Sequence, residues 1–469
     1  MTLTRDSLET AASPKLARTL QPRHLSMIAM GGAIGAGLLV ASSTAIVTAG
    51  PAVVLTYLLA GLVLVLVMRM LGEMSAATPE TGSFAVYARR YIGRWAGFSV
   101  GWLYWWFWSV TVAIEATAAA TIISGWVPAA PQWLVALVLV LVFMGLNLLS
   151  VRSYGEAEFW FSSVKIGAIA VIILVGVLAV LGLIPNSTAS FSNYTAGGGF
   201  FAHGVSAIFT ALLAVIFSMF GAEIVTVAAG ESNDPARAVT KAVRSVIFRV
   251  LFFYAGSVAV TLLVIPWTAV TPGISPFVTM FDVLGIPYAG LVMNIVVLTA
   301  LLSCLNASLY AASRMVFALA DQGDAPASFS RISSTRAPRN AIVFSSLIGV
   351  LSVVLNYFMP EQVFSLLVNS TGGVGIFVWL IVAVSHLRSR RLTARGGGQV
   401  PPAVAVRPFS PWVNYLLITG LLALLVYMGF TESHRVEVLV SVGVAAVLTT
   451  LGLITQGKSS PAPSHVPNR

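Results

Sequence analysis

Glu115, Lys165 and Glu223 lie well inside long apolar runs of the sequence. An ionised side chain at the centre of a bilayer costs at least about 2.5–3.5 kcal/mol, so a functional role is the first reading. The other reading is a polar bond between packed helices. An acid or a lysine shielded from water titrates under the control of its neighbours and is able to couple a solute to a proton gradient. Two of the apolar runs are also interrupted. The first holds four glycines within seven residues, Gly31-Gly32-Ala33-Ile34-Gly35-Ala36-Gly37. The sixth holds Phe217-Ser218-Met219-Phe220-Gly221-Ala222-Glu223. Each glycine weakens a helix by about 1 kcal/mol relative to alanine. Close packing through small residues is one use for them. Unwinding is the other, and it exposes backbone groups that cost several kcal/mol each unless a cavity or ligand satisfies them. Freed N–H groups of Gly35, Ala36 and Gly37, beside Ile34, suit a carboxylate. Freed carbonyls of Phe217, Ser218 and Phe220 suit an ammonium. Together they fit an amino acid zwitterion, with the ring of Phe217 or Phe220 closing over it as a gate.

The elements that position these groups are membrane spans. Hydrophobic residues make up 58% of the 469 and charged residues 9%, against roughly 25% charged in a soluble domain. With about 20 apolar residues per span, twelve candidates follow, near 25–46, 51–73, 95–123, 131–151, 157–183, 205–228, 244–266, 288–320, 340–358, 362–386, 411–431 and 435–456. The expected class is an all-α integral membrane protein. The two interrupted runs are five spans apart, an odd number, so the second half enters the membrane inverted. Paired broken helices at matching positions of two halves point to a transporter's binding site. The expected organisation is a tail over 1–23, a core over 24–392, a Gly- and Pro-containing basic loop over 393–408, two further spans over 409–456 and a Pro/Ser-rich tail over 457–469. The loops Ser75 to Arg94 and Asp321 to Arg339 are long enough for amphipathic helices.

The net charge of +10 reads as topology rather than as a nucleic-acid patch. With the N-terminus in the cytoplasm, the inner loops hold Arg89, Arg90, Arg94, Arg152, Arg237, Lys241, Arg244, Arg331, Arg336, Arg339, Arg388, Arg390, Arg391, Arg395 and Arg407. The outer loops hold only Arg435, as the positive-inside rule requires. Both termini are expected in the cytoplasm. No cleavable signal peptide is expected, because Met1 to Arg23 is polar. Cys304 is the single cysteine, which excludes an internal disulfide. The five histidines are scattered, so neither a metal nor a cofactor is expected. His-Glu-x-x-His, Walker A and Gly-x-Ser-x-Gly motifs are missing, which argues against an enzyme. The aromatic string Trp102 to Trp108 reads as an interfacial belt continuing into helix packing. Glu156 and Glu158 read as boundary acids, solvated or paired with Arg152.

Several segments together resemble the amino acid–polyamine–organocation superfamily, and within it the bacterial amino acid permeases. They are GGAIGAG (Gly31 to Gly37), TPETGSFAVY (Thr78 to Tyr87), GWLYWWFW (Gly101 to Trp108), NLLSVRSYGEAEFW (Asn147 to Trp160), FSMFGAEIVTVAAGES (Phe217 to Ser232) and SCLNASLYAASRM (Ser303 to Met315). The resemblance implies a LeuT-like fold of two inverted five-helix repeats plus two helices. It also implies proton-coupled uptake of an amino acid at the plasma membrane, with lipid, protons and the amino acid as partners. It puts the carboxylate on the first-span glycines, an aromatic gate at Phe217 and the family's sixth-span acid at Glu223. Lys165 falls where some proton-coupled relatives replace Na⁺ with a lysine. GWLYWWFW and GAEIVTVAAGES look most like the 4-aminobutyrate permeases. Proline, aromatic or basic amino acid permeases, an exchanger or a Na⁺ symporter are the other readings.

Overall fold

The computed structural model describes residues 34–77, 83–149, 151–185, 187–221, 223, 248–333, 337–360, 362–394 and 411–456. Outside them lie the two tails, the first span up to Ala33, the whole segment from Ile224 to Ile247 and the loop around Gly396 to Pro402.

Helices account for the architecture, and no strand occurs among the described residues. They are Ala36–Leu39 (α1), Ala41–Ala49 (α2), Val53–Ala77 (α3), Ser83–Tyr91 (α4), Arg94–Trp126 (α5), Gln132–Leu149 (α6), Val151–Val180 (α7), Ser206–Thr210 (α8) and Leu212–Met219 (α9). A π-helical run, Arg249–Gly256, leads into Ser257–Val264 (α10). Pro276–Val283 (α11), Ala289–Asp321 (α12), Arg339–Phe358 (α13), Val363–Ala394 (α14), Pro411–Phe430 (α15) and Arg435–Gln456 (α16) complete the chain. Nine helical stretches among the described residues are long and apolar enough to cross a bilayer, and Val250–Val264 is a shorter apolar one. The first and sixth expected spans are described only in part.

Exposure identifies the solvent. On α6, Leu134, Val138, Leu141, Val142, Leu146 and Leu149 are exposed. Their spacing of three to four residues places them on one helical stripe. An apolar stripe of that size is unfavourable in water and suits lipid chains. The centre of the protein is α5, which packs against α12, α14, α16, α13 and α6. The broken sixth-span helix α9 lies against α14, α2, α3 and α1. Glycines permit this approach. A Cβ on Gly372 would stand 2.1 Å from the Leu213 carbonyl oxygen, and one on Gly37 would stand 2.5 Å from Ser218 Cα. Gly50 takes φ +61 between α2 and α3, a backbone that glycine adopts without strain, and Pro51 follows.

The loop before Arg94 holds the amphipathic helix α4, as expected. Among its described residues, the loop after α12 holds instead one 3₁₀ turn, Ala327–Ser330. It is tied down by charge. Asp324, with a side chain 1% exposed, pairs with Arg89 of α4 and with Arg94 of α5 at 3.1 Å. The Trp102 indole N–H donates to the Asp324 carbonyl at 3.3 Å. Burial first, then repulsion from Arg94, pushes the Arg89 guanidinium below its ordinary range, and Asp324 supplies the compensating charge. Asp324→Asn is therefore expected to lower the apparent Tm in detergent, a loss of about 1–3 kcal/mol. A melting curve identical to wild type would show that the cluster contributes nothing.

Candidate functional site

Among the described residues, the first span becomes helical at Ala36. Gly35 precedes it in an extended conformation, and the helix is interrupted again at Val40. Ser43 absorbs that second break: its hydroxyl and its N–H both reach the Val40 carbonyl, at 2.6 and 3.0 Å. At the first break, the Ala36 N–H donates to both carboxylate oxygens of Glu115, at 3.0 Å each. So one of the three N–H groups expected to meet a ligand already holds an internal carboxylate. The fit is tight. A Cβ on Gly35 would stand 2.4 Å from Glu115 Oε1 and 2.6 Å from Cys304 Sγ. Glu115 comes from α5 and Cys304 from α12, and both are buried.

Lys165 reaches the same region from α7. It is buried, interacts electrostatically with Glu115, and its Nζ stands 3.7 Å from Glu158 Oε1. Glu158 corrects the sequence reading. It is a fully buried acid with two serine partners: Ser303 Oγ donates to Oε2 at 2.8 Å and Ser162 Oγ to Oε1 at 3.2 Å. A signal for it existed in the sequence. Glu158 and Lys165 are seven residues apart, two helical turns, and so share a face.

The sixth-span helix α9 ends at Met219. Phe220 turns into an extended conformation, and its N–H donates back to the Ile216 and Phe217 carbonyls. Of the three carbonyls expected for an ammonium, Phe217's is thus shared with Phe220. Gly221 takes φ +116, and its N–H donates to Glu223 Oε1 at 2.9 Å. Glu223 is buried at this break, close to Tyr104.

Phe220, rather than Phe217, is the hub of the aromatic cluster. Its ring lies 3.9 Å from Phe107, 5.7 Å from Trp379 and 6.1 Å from Tyr104, centroid to centroid. Phe217 touches only the edge of this group, 5.8 Å from Phe107. Tyr104, Phe107 and Trp108 belong to the string read as a belt, and all three are buried here. Their i, i+3, i+4 spacing put them on one face of α5. Tyr104 OH, Trp108 Nε1 and Trp379 Nε1 are buried and make no hydrogen bond of good geometry among the described residues. Nor does Tyr57 OH, beside Ser218. Tyr104 and Trp108 face each other, and Tyr57 faces Ser218, as weaker polar pairs around the broken helix. No cluster of three His, Cys, Asp or Glu with metal-binding geometry occurs among the described residues.

The architecture is that of a LeuT-like membrane transporter. It matches the crystal structure of an Eremococcus coleocola manganese transporter with a TM-score of 0.54 at 15% identity, over 92% of this chain and 93% of that one. At that identity the likeness concerns the fold alone. Sequence carries further. Residues 24–458 match the amino acid permease family, and the chain belongs to it. It is 43% identical to the gamma-aminobutyric acid permease of Bacillus subtilis, over 94% of this chain and 93% of that protein. It is also 43% identical to the gamma-aminobutyric acid permease of Escherichia coli, over 91% of each. The family and these relatives are transporters.

Proposed function

We propose that this protein imports 4-aminobutyrate across the plasma membrane by alternating access, driven by protons, with both termini in the cytoplasm and no chemical change to the substrate. The contact of the two broken helices at Gly37 and Ser218, with Glu115 seated on the Ala36 amide, carries the reading. The carboxylate of the substrate goes to the first-span amides at Gly35, Ala36 and Gly37. The ammonium goes to the Ser218 and Phe220 carbonyls, with Phe220 closing over it.

Coupling follows from competition. Ionised Glu115 and an ionised substrate carboxylate cannot share one amide, because two buried like charges repel. A proton on Glu115 removes the repulsion and weakens its hold on the Ala36 N–H. Substrate and proton then load together. Lys165 puts a cation beside the same carboxylate, which favours proton over Na⁺ coupling. Glu223 acts at the sixth-span break, where it holds the turn through Gly221.

The test is uptake of labelled 4-aminobutyrate into proteoliposomes under an inward proton gradient, with and without Na⁺, against a panel of unlabelled amino acids. Concentrative uptake that needs the gradient, ignores Na⁺ and is blocked best by ω-amino acids is the expected result. Better competition by proline, an aromatic or a basic amino acid replaces the substrate and leaves the coupling. Dependence on Na⁺, or on internal amino acid as in an exchanger, overturns the roles of Glu115 and Lys165.

A further inference from the structure

We propose that Glu158 is a positioning residue of the coupling centre, holding the charge of Lys165 so that Glu115 remains the group that exchanges the proton. This rests on the proton-coupled reading above and extends it to a residue that touches no substrate.

Glu115, Lys165 and Glu158 form one buried group. The side chains of Lys165 and Glu158 are 0% exposed, and Glu115 is 1% exposed. Two carboxylates and one ammonium leave one formal negative charge in excess. An uncompensated charge in such a place is strongly unfavourable, so one of the carboxylates is the seat of a proton.

Hydrogen bonding decides which. Each oxygen of Glu158 accepts from its own hydroxyl, Ser162 on one side and Ser303 on the other, and Oε1 also faces the ammonium. Among the described residues, the two oxygens of Glu115 share a single backbone N–H. Its other near neighbour is the Cys304 thiol, a weak donor. Donors aimed at a carboxylate favour its charged form. The charge therefore stays on Glu158 and the proton is left to Glu115. The O–H bond of Glu115 forms with a proton from outside and breaks to release that proton inside.

The helix α10, packed against α7, carries no ionisable residue. The π-helical run, also packed against α7, carries Arg249 at its first position and Tyr254, whose ring is tilted toward Tyr57 with centroids 6.4 Å apart. At this level α12 brings Ser303 and Cys304, and α5 brings Glu115.

The experiment measures the pH dependence of labelled 4-aminobutyrate uptake for full-length wild type, Glu158→Gln and Ser303→Ala in proteoliposomes. In Glu158→Gln, Lys165 loses the carboxylate at 3.7 Å and leans more on Glu115, which holds the Glu115 charge in place. Half-maximal uptake is expected at a more acidic pH, with proton affinity about tenfold weaker. Ser303→Ala removes one hydroxyl donor and is expected to move the profile the same way, by about threefold. A Glu158→Gln protein that elutes like wild type and keeps the wild-type profile, or moves it to alkaline pH, overturns the proposal. Should Glu158→Gln not be recovered folded, a Ser303→Ala profile superimposable on wild type overturns it instead. Wild-type uptake indifferent to protons strikes the parent reading, and is seen before either variant is compared.

Discussion

Gly37→Ala is expected to abolish uptake while the protein still inserts and folds. The new methyl carbon would stand 2.5 Å from Ser218 Cα, 3.0 Å from Ser218 Cβ and 3.2 Å from Ser218 N. Two of these three atoms are backbone, so no rotamer change makes room. The helix α9 cannot retreat either, because α14 backs it at Gly372, where a Cβ would meet the Leu213 carbonyl at 2.1 Å. Overpacking of this kind costs about 1–3 kcal/mol, which a protein of this size survives. The site does not, because the half-helices that hold the two ends of the substrate are forced apart. Uptake in proteoliposomes should fall more than tenfold. Gly420→Ala and Gly443→Ala are the controls. They lie in helices with nothing within 4 Å of the added carbon, and alanine there improves helix propensity by about 1 kcal/mol. Wild-type uptake by Gly37→Ala would remove the contact between broken helices as the basis of the site.

Glu115→Gln should separate accumulation from exchange. The amide keeps the shape of the side chain, and its oxygen is still able to accept the Ala36 N–H. It cannot carry a proton. By the coupling argument it mimics the loaded state permanently, so the substrate carboxylate always finds its amide. Counterflow of 4-aminobutyrate with no gradient should continue. Accumulation driven by a proton gradient should fall at least tenfold, and uptake should become flat between mildly acidic and mildly alkaline pH. Both readings come from the same vesicles. A variant that still accumulates substrate with wild-type pH dependence places the proton elsewhere, with Glu223 the next candidate.

The competition at Ala36 was not visible in the sequence, although both partners were. The glycines around Ala36 marked the break, and Glu115 was marked by its cost in an apolar run. Their separation by 79 positions hid the fact that one sits on the other. Glu158 was misread for a related reason. At the edge of an apolar run, an acid that reaches water cannot be told by position from one that turns inward. What turns it inward is Ser303, 145 residues away. Phe217 and Phe220 were equivalent candidates for the gate. They were separated by the helix end at Met219, which swings Phe220 toward Phe107 and Trp379.

The solvent, the helical class, the two interrupted spans and the cost of each buried charge are legible in the chain. These depend on composition and on spacing along one chain, which local rules read directly. Which interrupted backbone meets which acid, which acid holds the lysine, and which ring is central to the cluster are settled by the folded arrangement. Those choices are made by side chains from different helices competing for a few buried donors, and only packing brings the competitors together.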